Sequence, residues 1–305
     1  MLPSNGKEPV RRDASDVGYT GGRVYQLPNT RDDIVESAAR GHYRVMTWSP
    51  DGGVVPPDEG WPVIYLLDGA KYFSMATSVM ASLSRPRCGI TPGIVVGIDY
   101  VGTSRRDKDY RPAVANRVLE PNPQGGYYPA GMEGDAAGFR RFLIAELKPM
   151  IAARYPIDLQ REALFGHSYG GLFSLDTLFW ARESFQHYYV CSPSVWWNGE
   201  YILRQAASLY LQNPTVSPVS LMLSVGEYEQ SLEPWEMGLP TGQQELLLEH
   251  RRRRRMVDGV SELALMLKNR APDVDVSLQT YPGQSHQSVP FLALHTALRH
   301  HFQPT

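Results

Sequence analysis

Ser168 stands between glycines at −2 and +2 in the run Gly166-His167-Ser168-Tyr169-Gly170, and Gly171 follows at once. The apolar run Ala163–Phe165 precedes this cluster, and a helix-like run, Leu172–Trp180, follows it. A serine on so tight a strand-to-helix turn has its hydroxyl projected from the sheet edge. Side chains at the flanking glycine positions would collide with the neighbouring strand or helix. The chemistry this suits is attack on an acyl carbonyl, with the backbone N–H of Tyr169 placed to receive the oxyanion. The bare pattern is a weak signal. The strand before it and the helix after it give it weight.

A serine hydroxyl is a poor nucleophile at neutral pH and needs a base within hydrogen-bond reach. On a strand-turn-helix scaffold of this kind the chain order is serine, acid, histidine, each on a loop at the carboxyl end of a strand. His42 lies within a strand, His167 inside the turn itself, His250 beside an arginine run, and His295, His300 and His301 in a terminal helix. His286, in the Pro282-Gly-Gln-Ser-His286 loop after a final apolar strand, is where a base must be. The acid should follow the preceding strand, Val219–Val225, where Gly226-Glu227-Tyr228-Glu229 stands. Glu229 is the first choice and Glu227 the second; a serine–histidine dyad with no close acid, and two solvated loop glutamates, stay open. A second oxyanion donor belongs in the loop Asp68-Gly69-Ala70, after the first parallel strand. There the Ala70 N–H is the candidate, and Asp68 reads as a loop-shaping side chain.

These loops need elements to hold them. Arg23–Leu27 and His42–Trp48 read as early antiparallel strands, with residues 1–20 as a loose tail. Val63–Leu67 and Ile94–Ile98 are apolar runs of the kind buried on both faces of a parallel sheet, with a helix over Tyr72–Leu83 between them. Residues 99–135, rich in Gly, Pro, Tyr and charge, carry no period, so they form a long loop inserted in the domain. Phe139, Phe142, Leu143, Leu147, Met150 and Ile151 follow helical spacing, which Pro149 should kink or divide. A long helix lies within Gln243–Lys268, then a strand over Val274–Thr280 and a closing helix over Val289–His301. Strands alternating with helices predict an α/β-hydrolase fold over residues 21–305: one domain, its central sheet mostly parallel, with helices on both faces.

Composition excludes more than it selects. A net charge of −2 gives no reason to expect nucleic acid or an anionic membrane as partner. No stretch approaches the ~18–20 apolar residues of a membrane span. Met1–Val17 is polar and lacks the apolar core of a signal peptide, which favours the cytoplasm, or the periplasm had an export signal been trimmed. Cys88 and Cys191 both lie beside apolar runs and read as buried free thiols. No metal-ligand spacing and no phosphate loop occurs, so neither metal nor cofactor is expected. The Arg251–Arg255 run reads as a solvated turn of helix, with Glu245 and Glu249 as i,i+4 partners.

Val63-Ile-Tyr-Leu-Leu-Asp-Gly69, Arg106-Asp-Lys-Asp-Tyr-Arg-Pro112, Gly166–Gly171, Ser192-Pro-Ser-Val-Trp-Trp197, Gly226–Glu229 and Pro282–His286 occur in that order. The set resembles the putative-esterase family, which contains esterase D, feruloyl esterases and siderophore esterases. It is most similar to the enterobactin/salmochelin trilactone hydrolases of the IroE and Fes type, over roughly residues 40–300. The set is specific for the family and less so for a substrate. The resemblance implies an ester substrate, with an iron-siderophore among the candidates, and it implies that Arg106 faces the site. An arginine there can pair with phenolate or carboxylate oxygens of an anionic ester, or equally with Asp107 or Asp109. Trp196, Trp197 and Tyr169 can stack on an aromatic acyl group, or simply pack. Two departures stand out: periplasmic members carry an export signal, absent here, and some members work with serine and histidine alone. The competing readings are a general carboxylesterase or thioesterase, for feruloyl or S-formylglutathione-like substrates, and a binding protein that kept the fold without turnover.

Overall fold

The computed structural model describes residues 25–209 and 219–304. The expected tail, residues 1–20, lies outside the described residues. Eight strands form one sheet: β1 (Thr30–Ser37), β2 (Gly41–Trp48), β3 (Trp61–Leu67), β4 (Ile94–Tyr100), β5 (Ile157–His167), β6 (His187–Cys191), β7 (Val219–Gly226) and β8 (Val274–Tyr281). Their spatial order is β1-β2-β4-β3-β5-β6-β7-β8. β1 and β2 pair antiparallel, as do β2 and β4; every later pair is parallel.

β3 is buried at all seven positions, as its unbroken apolar run requires of a strand covered on both faces. One face packs an aromatic group that includes Tyr43, Tyr110, Phe139, Phe142 and Phe173. The other packs Tyr72, Phe73, Phe165 and Tyr189 beneath α1 (Gly69–Leu83) and the closing helix Val289–His301. Among the described residues no helix is long and apolar enough to cross a membrane.

Four sequence expectations shift. The strand expected at Arg23–Leu27 is irregular over its described residues, and the edge strand beside β2 is β1. The β1 sequence, TRDDIVES, escapes an apolar search because it is a charged sheet edge, tied to β2 by the fork of Arg44 on Asp32 (2.9 and 2.6 Å). Pro149 does not divide its helix: a wide-turn segment, Phe142–Leu147, precedes it, and the Lys148 N–H reaches back to Leu143 O. Widening the turn there relieves the clash a proline makes with the carbonyl four residues back. The long helix near Gln243–Lys268 is instead two helices, Thr241–Arg254 and Met256–Arg270, broken at Arg255 with φ 45°. Cys191 is buried, but Cys88 is exposed.

Candidate active site

Three non-glycine residues with positive φ stand at the carboxyl ends of β3, β5 and β6: Asp68 (54°), Ser168 (59°) and Ser192 (44°). Left-handed backbone costs of order 1–3 kcal/mol at such residues and persists only where the surroundings enforce it. At Ser168 the enforcement is steric. A Cβ on Gly166 would lie 2.2 Å from Gly170 O, and one on Gly171 would lie 2.9 Å from Pro193 Cα. Gly170 itself would meet only ordinary contacts at 3.5 Å, so the glycine at +2 is not the sterically demanding one. The Ser168 N–H donates to Cys191 O (3.1 Å), and the Ser194 N–H donates to Ser168 O (3.2 Å). The Ser168 hydroxyl stands 3.4 Å from that of Ser194. Tyr169 opens a helix, Tyr169–Trp180, so its N–H has no acceptor within that helix.

The fold brings His286 against Glu229. Its Nδ1 is 2.6 Å from Glu229 Oε2, across 57 residues of chain. The other carboxylate oxygen accepts from the Gly226 N–H (2.8 Å) and from the Ser192 hydroxyl. Glu229 is 4% exposed; with one oxygen filled by two donors, the other is left to the imidazole. Glu227 points elsewhere, accepting from the Gly283 N–H at 2.7 Å on the exposed side of the same loop. Ser168, His286 and Glu229 line one cavity of about 230 Å³ together with Trp196, Arg251 and Arg254. His167 lies behind His286, ring centroids 4.5 Å apart, with its Nδ1 3.0 Å from the Tyr72 hydroxyl. Burial, reinforced by His286, pushes its pKa well down, so His167 is neutral and donates no competing charge.

Two expected contacts are redirected. The Ala70 N–H is taken: it donates to Asp99 Oδ2 at 2.6 Å, so Ala70 is not open to an oxyanion. Arg106 is also engaged, and with neither Asp107 nor Asp109. Its Nε and Nη2 form a fork on Asp68 (2.7 and 3.1 Å), and Nη2 also donates to His167 O at 3.0 Å. Burial opposes its charge, but Asp68 outweighs that and holds the guanidinium protonated. The pair pins the loop after β3 to the serine turn, with the Asp68 N–H donating to the Tyr110 hydroxyl (3.1 Å). Arg106 therefore braces the site through Asp68, where the sequence offered a substrate oxygen or, equally, Asp107 or Asp109.

Trp196 is half-buried in the cavity wall, while Trp197 is a core residue at 5% exposure, edge-on to Tyr201. Only part of the arginine run is a solvated turn: Arg252 and Arg253 are exposed. Arg253 pairs with Glu249 at i,i+4, but Arg251 forks Glu236, Arg254 forks Glu120 and Arg255 reaches both Glu200 and Glu262. Ser192 and Arg254 are site residues that sequence reasoning missed. The Ser-Pro-Ser segment at the end of β6 was a signal for the first; Arg254 carried none. Among the described residues no three His, Cys, Asp or Glu side chains converge to hold a metal ion.

The comparisons agree with this architecture. The profile of the family described as "Putative esterase" matches residues 37–264. Ferri-bacillibactin esterase BesA of Bacillus subtilis is 38% identical over 68% of this chain and 73% of its own length. The siderophore triacetylfusarinine C esterase of Aspergillus fumigatus is 33% identical over 75% and 77%. The solved siderophore hydrolase EstA of Aspergillus nidulans superposes with a TM-score of 0.80 at 26% identity, covering 92% of this chain and 97% of that one. With the order of its sheet, the strained serine turn after β5 and a profile match over most of its length, this chain belongs to the putative esterase family of α/β-hydrolases.

Proposed function

We propose that the protein is a serine hydrolase that cleaves the ester bonds of siderophores. The observation that carries the mechanism is the 2.6 Å contact of His286 Nδ1 with buried Glu229, in the cavity that Ser168 lines. Glu229 fixes the imidazole tautomer with the proton on Nδ1, leaving Nε2 as the base. His286 then takes the Ser168 proton as the hydroxyl attacks the ester carbonyl, and the Tyr169 N–H bonds to the oxyanion of the tetrahedral intermediate. The same proton passes to the departing alcohol, and His286 next activates water against the acyl-Ser168 ester. The substrate class is supported by the relatives, whose names describe siderophore ester cleavage.

The fork of Arg106 on Asp68 favours a second reading at that position, a carboxylesterase indifferent to substrate charge. One comparison decides between them: ferric and iron-free trilactone siderophores assayed beside p-nitrophenyl butyrate. The siderophore reading expects the trilactones to be opened with the higher kcat/KM. In both readings Ser168→Ala loses about 10³-fold or more in kcat while keeping its melting temperature. Near-normal turnover by that variant would remove the serine mechanism.

A further inference from the structure

Of the three residues with positive φ at the strand ends, Ser168 carries the nucleophile and Asp68 holds Arg106. Ser192 has neither task, and its φ of 44° suits glycine. Yet a serine stands there, fully buried. A buried hydroxyl must find its acceptor inside the protein. Two acceptors are in reach, Glu229 Oε1 and the Cys191 sulfur at 3.6 Å. Burial pushes the Cys191 thiol up to about 12, so the sulfur is neutral and a weak acceptor. The carboxylate therefore takes the hydrogen bond.

The segment around Ser192 is also the seat of the nucleophile. Cys191 O accepts from the Ser168 N–H at 3.1 Å, and the Ser194 N–H donates to Ser168 O at 3.2 Å. Pro193 closes on Gly171, where a Cβ would lie 2.9 Å from its Cα. The Ser192 N–H donates to Ser224 O at 2.7 Å, which ties the segment to β7, the strand before the acid. Among the described residues the other hydrogen-bond partners of the Glu229 carboxylate are two. One is the Gly226 N–H, from its own turn, and the other is His286, the group it has to aim. The Ser192 hydroxyl is thus the bond that sets the carboxylate in the frame of the serine turn.

We propose that Ser192 is a positioning residue, a strained serine kept for a hydroxyl that locks the Glu229–His286 pair to the serine turn. Glycine would relax the backbone there but cut the link. The effect on turnover rests on the hydrolase reading; the link itself does not.

Ser192→Gly and Ser192→Ala, each alone and combined with Glu229→Gln, test it. Three measurements apply: hydrolysis of p-nitrophenyl butyrate, the rate of phosphonate labelling at Ser168, and thermal melting. Each single variant should lose roughly 10- to 100-fold in kcat, the size of one charge-assisted hydrogen bond, with KM within about 2-fold of wild type. Ser192→Gly, freed of the strain, should melt within about 5 °C of wild type. Phosphonate labelling uses the same base but no ester, so it should slow by a similar factor. In the Glu229→Gln background neither change should cost more than about 2-fold further, because the link has nothing left to hold. Unchanged kcat and labelling in Ser192→Gly, or full additivity with Glu229→Gln, would each overturn the proposal. So would a loss carried by KM alone. Ser192-dependent labelling by a protein that hydrolyses no ester would sink the hydrolase reading and leave the link standing.

Discussion

The floor and the roof of the reactive cavity are built on different physics. The floor is the row of strand ends after β3, β5, β6 and β7. It consists of strained backbone, a buried carboxylate and short hydrogen bonds between loops that the sheet already holds side by side. The roof includes the helix Thr241–Arg254, none of whose residues is buried. That helix is held by polar contacts: Arg251 forks Glu236 (2.5 and 2.7 Å), Arg254 forks Glu120 (2.6 and 2.9 Å), and Gln244 bonds to the Met237 and Leu239 carbonyls (3.0 and 2.8 Å). A helix without an apolar face takes its stability from such pairs rather than from packing. The difference teaches which part of the cavity wall is held rigidly and which by exchangeable charge pairs. A reaction needs atoms held to a fraction of an ångström, whereas a wall away from the reacting atoms tolerates ion pairs that cost little to rearrange.

The comparison can be broken most directly at the acid. Glu229→Gln should lower kcat by roughly 10- to 10⁴-fold, because the imidazole loses the partner that orients it and stabilises its charge. Glu227→Gln, exposed and bonded only to a loop amide, should stay near wild type. Steady-state kinetics on p-nitrophenyl butyrate reads both. If both variants are normal, the floor works as a serine–histidine dyad, and the buried carboxylate is structural.

The next largest effect is on stability. Gly166→Ala places a methyl group 2.2 Å from the Gly170 carbonyl oxygen, which should cost about 3 kcal/mol or more. Gly170→Ala meets only ordinary contacts and gains helix propensity, so its unfolding free energy should stay within about 1 kcal/mol of wild type. Denaturant melts compare the two directly. Equal losses would mean that the glycine at +2 is as constrained as the one at −2.

Acid should weaken the molecule through its buried imidazoles. His187 has its pKa pushed down to about 4, chiefly by burial and then by His300. The unfolded chain takes up that proton near pH 6.5, and the folded chain refuses it until near pH 4. Stability is therefore complete above pH 6.5 and falls as the pH drops through that window. His187→Gln should remove this contribution, losing about 2 kcal/mol less than wild type between pH 7 and pH 5. Parallel losses in the two proteins would show that His187 titrates normally.

The smallest effect belongs to the roof. Glu120→Gln removes one half-exposed fork and should lower the unfolding free energy by under about 1 kcal/mol. The deficit should shrink further in 1 M salt. A loss of several kcal/mol, insensitive to salt, would make the roof as rigid as the floor and end the distinction.

What could be read from the chain follows the same division. The serine turn, the strands under it and His286 were legible because each is a local pattern. Buried strands must be apolar, a tight elbow must be small on its flanks, and the base must follow the last strand. The sequence ranked Glu229 ahead of Glu227 but left both open, since the two stand on one short turn. The Gly226 N–H and the Ser192 hydroxyl draw Glu229 inward, and one of those donors comes from another strand. The partners of Arg106 and Ala70 escaped the sequence for a related reason. Sequence shows that an arginine or an amide is near a site, but not that Asp68 or Asp99 already satisfies it. The roof is the extreme case: Arg254 meets Glu120 across 134 residues of chain. Local sequence singled out Ser168 and His286 as the candidates, and the fold brings both to one cavity, because backbone geometry and burial restrict the residue types at those positions. Only the tertiary structure decided which charges are spent on each other and which remain for a ligand, because pairing depends on where distant segments come to rest.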